Sequence, residues 1–227
     1  MKKLLFGLIA TVMFGFVGNA QTNSKNEFDY VGKTHNEILN EFLKDYDKNL
    51  SIQEICNKIQ SIANKNQTYL SLNEPKIDYK FIEASKDDFT SKFKNVINNT
   101  NSSSMAKNEM QSLINHMFAL AFSSTKPEYK DFYTYVLNFE SKIISNSSLS
   151  ASDKKLILSG TSTARFSAFL WSQKIQQTEV TSKRPWWAWA IVGVADVAGA
   201  FGGGVANVGT AAAASGGAYT MTDPDKK

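Results

Sequence analysis

His35 and His116 are the two histidines of this chain, and imidazole is the side chain best suited to proton transfer or metal binding near neutral pH. Neither has a second histidine three or four residues away on its predicted helix, and no HExxH or CxxC spacing occurs. Both read as ordinary core or surface residues, and no metal is expected. Gly160-Thr161-Ser162-Thr163-Ala164, after Leu156-Ile157-Leu158, comes within one residue of the elbow that lifts a nucleophilic serine above a hydrolase sheet. That fold also needs an acid and then a histidine downstream, and no histidine follows Ser162. The stretch is expected to be a short Gly-containing piece of helix.

Other groupings fail for similar reasons. Asp45, Asp47 and Asn49 begin like a calcium loop, but Leu50 stands where the sharp turn needs Gly, and Cys56 where a bidentate Glu is required. Asp87 and Asp88 are adjacent, so on a helix they point to different sides; a first-turn dipole role suits them better than a glycosidase pair. Phosphate loops of the GxxxxGK[ST] type are missing. The expectation is a non-enzymatic protein with no cofactor, in which an active site would have to be unsignalled. Cys56 is the lone cysteine, so no intrachain disulfide forms. It reads as a buried, inert thiol.

The elements that carry these residues are helical almost throughout Thr34 to Gln177. Thr34 with Glu37, Ser51 with Glu54, Ser85 with Asp88, Thr125 with Glu128 and Ser150 with Asp153 each place a hydroxyl at a helix start and a carboxylate near N3. Behind them run apolar stripes at helical spacing, such as Ile38, Leu39, Phe42 and Leu43, then Ile52, Ile55, Ile59 and Ile62. Six such faces need one another, which predicts an all-α fold: a helical bundle or array of about six helices with a C-terminal Gly/Ala-rich helix or helical hairpin. Tyr69 to Ile82, with alternating Ile77, Tyr79 and Phe81, reads as extended or a short strand.

The amino end carries an export signal. Lys2 and Lys3 form a positive region, Leu4 to Val17 an apolar run, and Gly18-Asn19-Ala20 the small residues read by a signal peptidase, so cleavage is expected between Ala20 and Gln21. With 25 basic residues against 21 acidic ones and two of the former leaving with the signal, the charge balance excludes a nucleic-acid partner. The predicted organisation is a signal peptide over 1–20, a flexible leader over 21–33, a helical domain over 34–182, a Trp/Gly/Ala-rich tail over 183–220 and a disordered end over 221–227.

The tail is the most distinctive segment. Lys183 and Arg184 precede Trp186, Trp187 and Trp189, a combination suited to a membrane interface. Small residues then recur every four positions: Ala195, Gly199 and Gly203 along one row, and Gly209, Ala213 and Gly217 along another. On a helix such rows let a second backbone approach closely. Each Gly costs roughly 1 kcal/mol against Ala in an exposed helix, so eight of them between Gly193 and Gly217 require a packing partner.

Residues 188–218 resemble the glycine-zipper segments of bacterial envelope proteins, in which two Gly- and Ala-rich helices form a tight hairpin, and more loosely the Gly-rich helices of two-peptide bacteriocins. The resemblance implies association with a membrane surface or with a second copy, and no reaction. It departs in having Gln21 where such lipoproteins carry a lipidated Cys. Asp196 opposes a single membrane span, at a cost of about 2.5 to 3.5 kcal/mol near the bilayer centre. The expected function is an exported protein, periplasmic, envelope-associated or secreted, whose tail mediates membrane association or self-association. The alternatives are a soluble interaction module whose tail packs on its own core, and a bacteriocin-like or toxin-like secreted effector.

Overall fold

The computed structural model describes residues 21–77, 89–124, 128–178, 186–201 and 207–221, with side chains at 89–93, 121, 175–178, 186–191 and 221 outside that description. Among the described residues there are nine helices and no strand. They are α1 (Asp29–Lys44), α2 (Ile52–Ala63), α3 (Gln67–Ser71), α4 (Phe89–Asn99), α5 (Ser104–Ala121), α6 (Tyr129–Ser145), α7 (Ala151–Thr178), α8 (Trp186–Phe201) and α9 (Val208–Met221). The six amphipathic stripes correspond to α1, α2 and α4 to α7, the tail supplies α8 and α9, and α3 is a short addition.

Local chemistry explains several boundaries. Ser51 and Glu54 form the full capping box at the start of α2, with the Glu54 backbone N–H on the Ser51 hydroxyl and the Ser51 N–H on the Glu54 carboxylate. Ser150 Oγ accepts from the Asp153 N–H at 3.1 Å, and Ser103 Oγ caps α5 at Ala106. Ser85 and Thr125 lie outside the described residues; Glu128 is the N-cap residue of α6 and makes no side-chain cap bond.

The start of α1 differs from expectation. The helix begins at Asp29, and Thr34 is a buried interior residue rather than a cap. The reason is tertiary: the turn before Thr34 crosses α7, where a Cβ on Gly32 would lie 2.5 Å from the Ser162 carbonyl oxygen. Residues 21–28, expected to be a flexible leader, are tied to α6 and α7 by hydrogen bonds, and Asn26 is buried. Tyr69, expected on an extended stretch, lies on α3, and residues 72–77 are irregular; Tyr79 and Phe81 lie outside the described residues.

The tail is the centre of the molecule. Helix α8 packs against α7, α5 and α4, while α9 packs against α1 and α2, and the two tail helices pack most extensively on each other. Gly193 faces Ser167 whereas a Cβ on Gly160 would run into the Phe201 ring, so α8 runs antiparallel to α7. Every described side chain from Val192 to Phe201 and from Asn207 to Ala218 is buried.

Candidate functional site

Small residues decide how closely the tail helices approach. A Cβ on Gly199 would lie 2.7 Å from Ala211 Cα and 2.9 Å from the Thr210 carbonyl oxygen, so α8 and α9 are in backbone contact there. Gly209 faces the Tyr69 ring and hydroxyl, with Tyr69 Oη 3.0 Å from the position of a Cβ. Ala195 and Ala213 are buried in the core and Gly217 is buried on α9. Gly203 lies outside the described residues, as do Lys183 and Arg184. Trp186, Trp187 and Trp189 open α8, and their side chains lie outside the description.

Two further close approaches escape the four-residue rows. Gly216 faces Ile59, Ile55 and Phe42 at 3.0 to 3.2 Å, and Gly160 sits under the Phe201 ring. The second arises because α7 must leave room for the end of α8. No spacing rule within one segment signals a void needed by a residue from another.

The start of α9 is held from two sides. Asn207 Oδ1 accepts from the Thr210 N–H at 2.8 Å, and the Glu74 carboxylate accepts from Val208 N–H at 2.7 Å and Gly209 N–H at 3.0 Å. Three of the helix's otherwise unpaired N–H groups are thereby satisfied, with negative charge at the positive end of the dipole. Burial pushes the Glu74 carboxyl above its ordinary value, against the pull of those two N–H groups.

A polar cluster joins side chains of α8, α7 and α1. Asp196, in the middle of the apolar α8, accepts from the Ser167 hydroxyl and lies within 3.4 Å of Trp171 Nε1. His35 Nε2 is 3.7 Å from the same carboxylate oxygen, and all of Asp196, His35 and Ser167 are fully buried. Asn36 uses its amide N–H on the Phe166 carbonyl, so its Oδ1 accepts from His35 Nδ1 at 3.0 Å. That leaves His35 Nε2 turned toward Asp196, and both it and Asp196 Oδ1 lack a hydrogen-bond partner. A serine, a histidine and an aspartate thus converge, which sequence reasoning missed. Their wiring differs from a nucleophilic relay: the hydroxyl proton is committed to the carboxylate, whereas activation requires it on the imidazole. The group brings α8, α7 and α1 together at one buried point.

A second buried cluster ties α6, α7 and the amino-terminal segment. Arg165, fully buried, donates from Nε and Nη2 to Glu140 Oε1 at 3.2 Å, and its guanidinium also bonds Asp29 and the Gln21 carbonyl. Thr161 Oγ1 and Asn26 Nδ2 donate to Glu140 Oε1 at 2.7 Å, and Asn23 Nδ2 to Oε2 at 2.6 Å. Next along α7, Ser162 donates to the Asp29 carbonyl and accepts from Gly32 N–H, both at 3.1 Å. The residue singled out as a near-elbow serine is a helix-crossing contact.

The remaining candidates are structural in setting. His116 stacks on Tyr135 with ring centroids 3.5 Å apart, and burial lowers its pKa. Asp47 Oδ1 accepts from the Asn49 N–H at 2.9 Å in the turn before Ser51. Cys56 is a buried thiol on α2. Among the described residues no group of three or more His, Cys, Asp or Glu side chains is placed to hold a metal ion. No described helix is long and apolar enough to cross a membrane. Comparisons with protein-family models, with curated proteins and with solved structures gave no match to this chain.

Proposed function

We propose that this chain is an exported, non-enzymatic helical interaction module whose Gly/Ala-rich tail serves as its own central packing element. The observation that carries this reading is the burial of the tail: its described side chains from Val192 to Phe201 and from Asn207 to Ala218 face protein, and its one internal charge, Asp196, meets His35 and Ser167. The close-packing rows read in the sequence as a device for pairing with lipid-embedded or second-copy helices have partners within the chain: Gly199 meets α9 at Thr210 and Ala211, and Gly209 meets Tyr69 of α3. Association with a membrane through this hairpin would require α8 to leave the Asp196 contacts and α9 to leave Glu74. The export signal over residues 1–20 supports a periplasmic, envelope-associated or secreted setting.

The test is a truncation ending at Lys183, measured by circular dichroism and by liposome flotation beside the protein without its signal. The expected outcome is loss of the cooperative helical transition on truncation, with the full tail-bearing protein staying in the soluble fraction. A truncated chain that keeps its helical transition, together with a tail-bearing protein that floats with vesicles, would overturn the reading in favour of a membrane-directed tail.

A further inference from the structure

The amino-terminal segment has no regular structure over residues 21–28, yet the fold holds it through six hydrogen bonds. Arg165 Nη1 donates to the Gln21 carbonyl, Tyr133 Oη to the Thr22 carbonyl at 2.7 Å, and Asn23 N–H to Asp29 Oδ2 at 2.8 Å. Asn23 Nδ2 and Asn26 Nδ2 donate to Glu140, and Asn26 Nδ2 also to the Leu158 carbonyl at 2.9 Å. Within residues 21–28 the one apolar side chain is Phe28, which packs against the core at the end next to α1; the residues before it are polar. Its anchor is the charge cluster beneath it.

That cluster is unbalanced. Arg165 and Glu140 are fully buried and Asp29 is largely covered, so two carboxylates share one guanidinium. The other donors to Glu140, from Thr161, Asn23 and Asn26, are neutral. Among the described residues, facing groups from the packed elements do not supply the missing charge. Tyr129 and Tyr133 on α6 are pushed up in pKa chiefly by burial and stay neutral, and Lys25, the basic side chain of the segment, is exposed. A buried surplus negative charge is strongly unfavourable unless a cation joins it.

Gln21 brings a nitrogen to this place. Covalent geometry keeps its backbone nitrogen within about 4 Å of its own carbonyl oxygen, the atom bonded to the Arg165 guanidinium. Gln21 Oε1 is buried and lacks a hydrogen-bond partner, so the site holds an acceptor awaiting a donor. In an uncleaved chain the nitrogen is a neutral amide. After cleavage between Ala20 and Gln21 it is an ammonium, carrying the positive charge the cluster lacks and donors for Gln21 Oε1.

We propose that the Arg165, Glu140 and Asp29 cluster is a receptor for the chain's own processed amino terminus, with the Gln21 α-ammonium as its balancing cation. The inference rests on the export reading and adds a consequence: processing completes the fold electrostatically. It also sets the chemistry of the terminus. A free N-terminal glutamine cyclises when its unprotonated amine attacks its own side-chain carbonyl carbon, forming a lactam and releasing ammonia. Holding the amine as an ammonium removes the lone pair that this attack needs.

The experiment exports the full precursor through its own signal, verifies the terminus by intact mass, and measures urea unfolding. The comparison is with the same chain retaining Gly18-Asn19-Ala20 ahead of Gln21. A terminus that the folded cluster favours as an ammonium has its pKa raised on folding, and the expected gain is about a tenfold larger folding constant at neutral pH. Because the folded value is the higher, that advantage is complete below the unfolded pKa of about 8 and is lost as pH rises through the folded one. The expected result is that tenfold gap at neutral pH, its disappearance in strongly alkaline buffer, and its narrowing in Asp29→Asn and, where that variant folds, Glu140→Gln. Equal unfolding midpoints, a gap unchanged by Asp29→Asn, or a terminus found as the cyclised lactam would overturn the inference while leaving export standing. Cleavage at a different bond, or retention of residues 1–20, would overturn the export reading and this inference with it.

Discussion

Asp196 is the residue on which the tail's position turns. A carboxylate in the middle of an apolar helix is tolerable in a protein interior only with hydrogen-bond donors or a cation nearby; Ser167 and Trp171 supply donors from α7, and the His35 ring of α1 lies 3.7 Å away. The arrangement fixes the register of α8, since a shift of one residue would carry the carboxylate to a different face of the helix. Replacing Asp196 with Ala would leave His35 and the Ser167 hydroxyl buried against an apolar wall, for an expected loss of about 3–5 kcal/mol in urea unfolding. Asp196→Asn keeps hydrogen-bonding capacity and should cost less; equal effects of the two changes would mean the polar contacts do not matter. The sequence flagged Asp196 as an obstacle to membrane insertion but did not reveal its partners. His35 lies near the opposite end of the chain on a helix of ordinary composition, and convergence of that kind has no local signal. At Asp153 the local signal was half of the account: Ser150, three residues before it, was legible as a cap, whereas Ser103, fifty residues away, also bonds its carboxylate. Burial pushes the Asp153 pKa up, but the bonds from Ser103 and Ser150 outweigh it and hold it below the usual value.

Among the elements, the helices visible in the sequence were those whose starts are chemically self-contained. The box of Ser51 and Glu54 forms with groups only three residues apart, so it reads the same in one dimension and three. Helix α1 fails that test, because its first turn is stabilised by crossing α7 at Gly32 and Ser162 rather than by a cap. The glycine rows were legible in part. The row through Gly199 meets a backbone on α9, whereas Gly193, on the same helix, has among the described residues Ser167 Oγ at 3.8 Å and Met117 Cε at 4.0 Å near the position of a Cβ. The two positions therefore predict opposite outcomes. Gly199→Ala should destabilise by about 1–3 kcal/mol through overpacking against atoms that cannot rotate away. Gly193→Ala should be neutral or stabilise by up to about 1 kcal/mol through helix propensity. Thermal unfolding of the pair checks this, and a Gly199→Ala protein as stable as Gly193→Ala would remove the backbone contact from the account.

The whole molecule is organised around a segment that composition alone assigns equally to lipid or to protein. Apolar, Gly-rich helices suit either environment, and what separates them is the presence of complementary faces elsewhere in the chain. Here those faces are the apolar sides of α1, α2, α5 and α7, which have each other and the tail to cover. The six stripes predicted that a core exists; they did not predict that the hairpin fills it, because each stripe reports only that it must be buried, not by what. The most direct measurement is native-state amide hydrogen exchange, followed by mass spectrometry on peptides spanning 192–201 and 208–218. A tail at the centre of the fold predicts that these amides exchange only with global unfolding, as slowly as those of Leu156 to Leu170 in α7 and with the same urea dependence. Exchange of the tail peptides within seconds, while α7 remains protected, would show a hairpin that lies outside the core and would contradict the account.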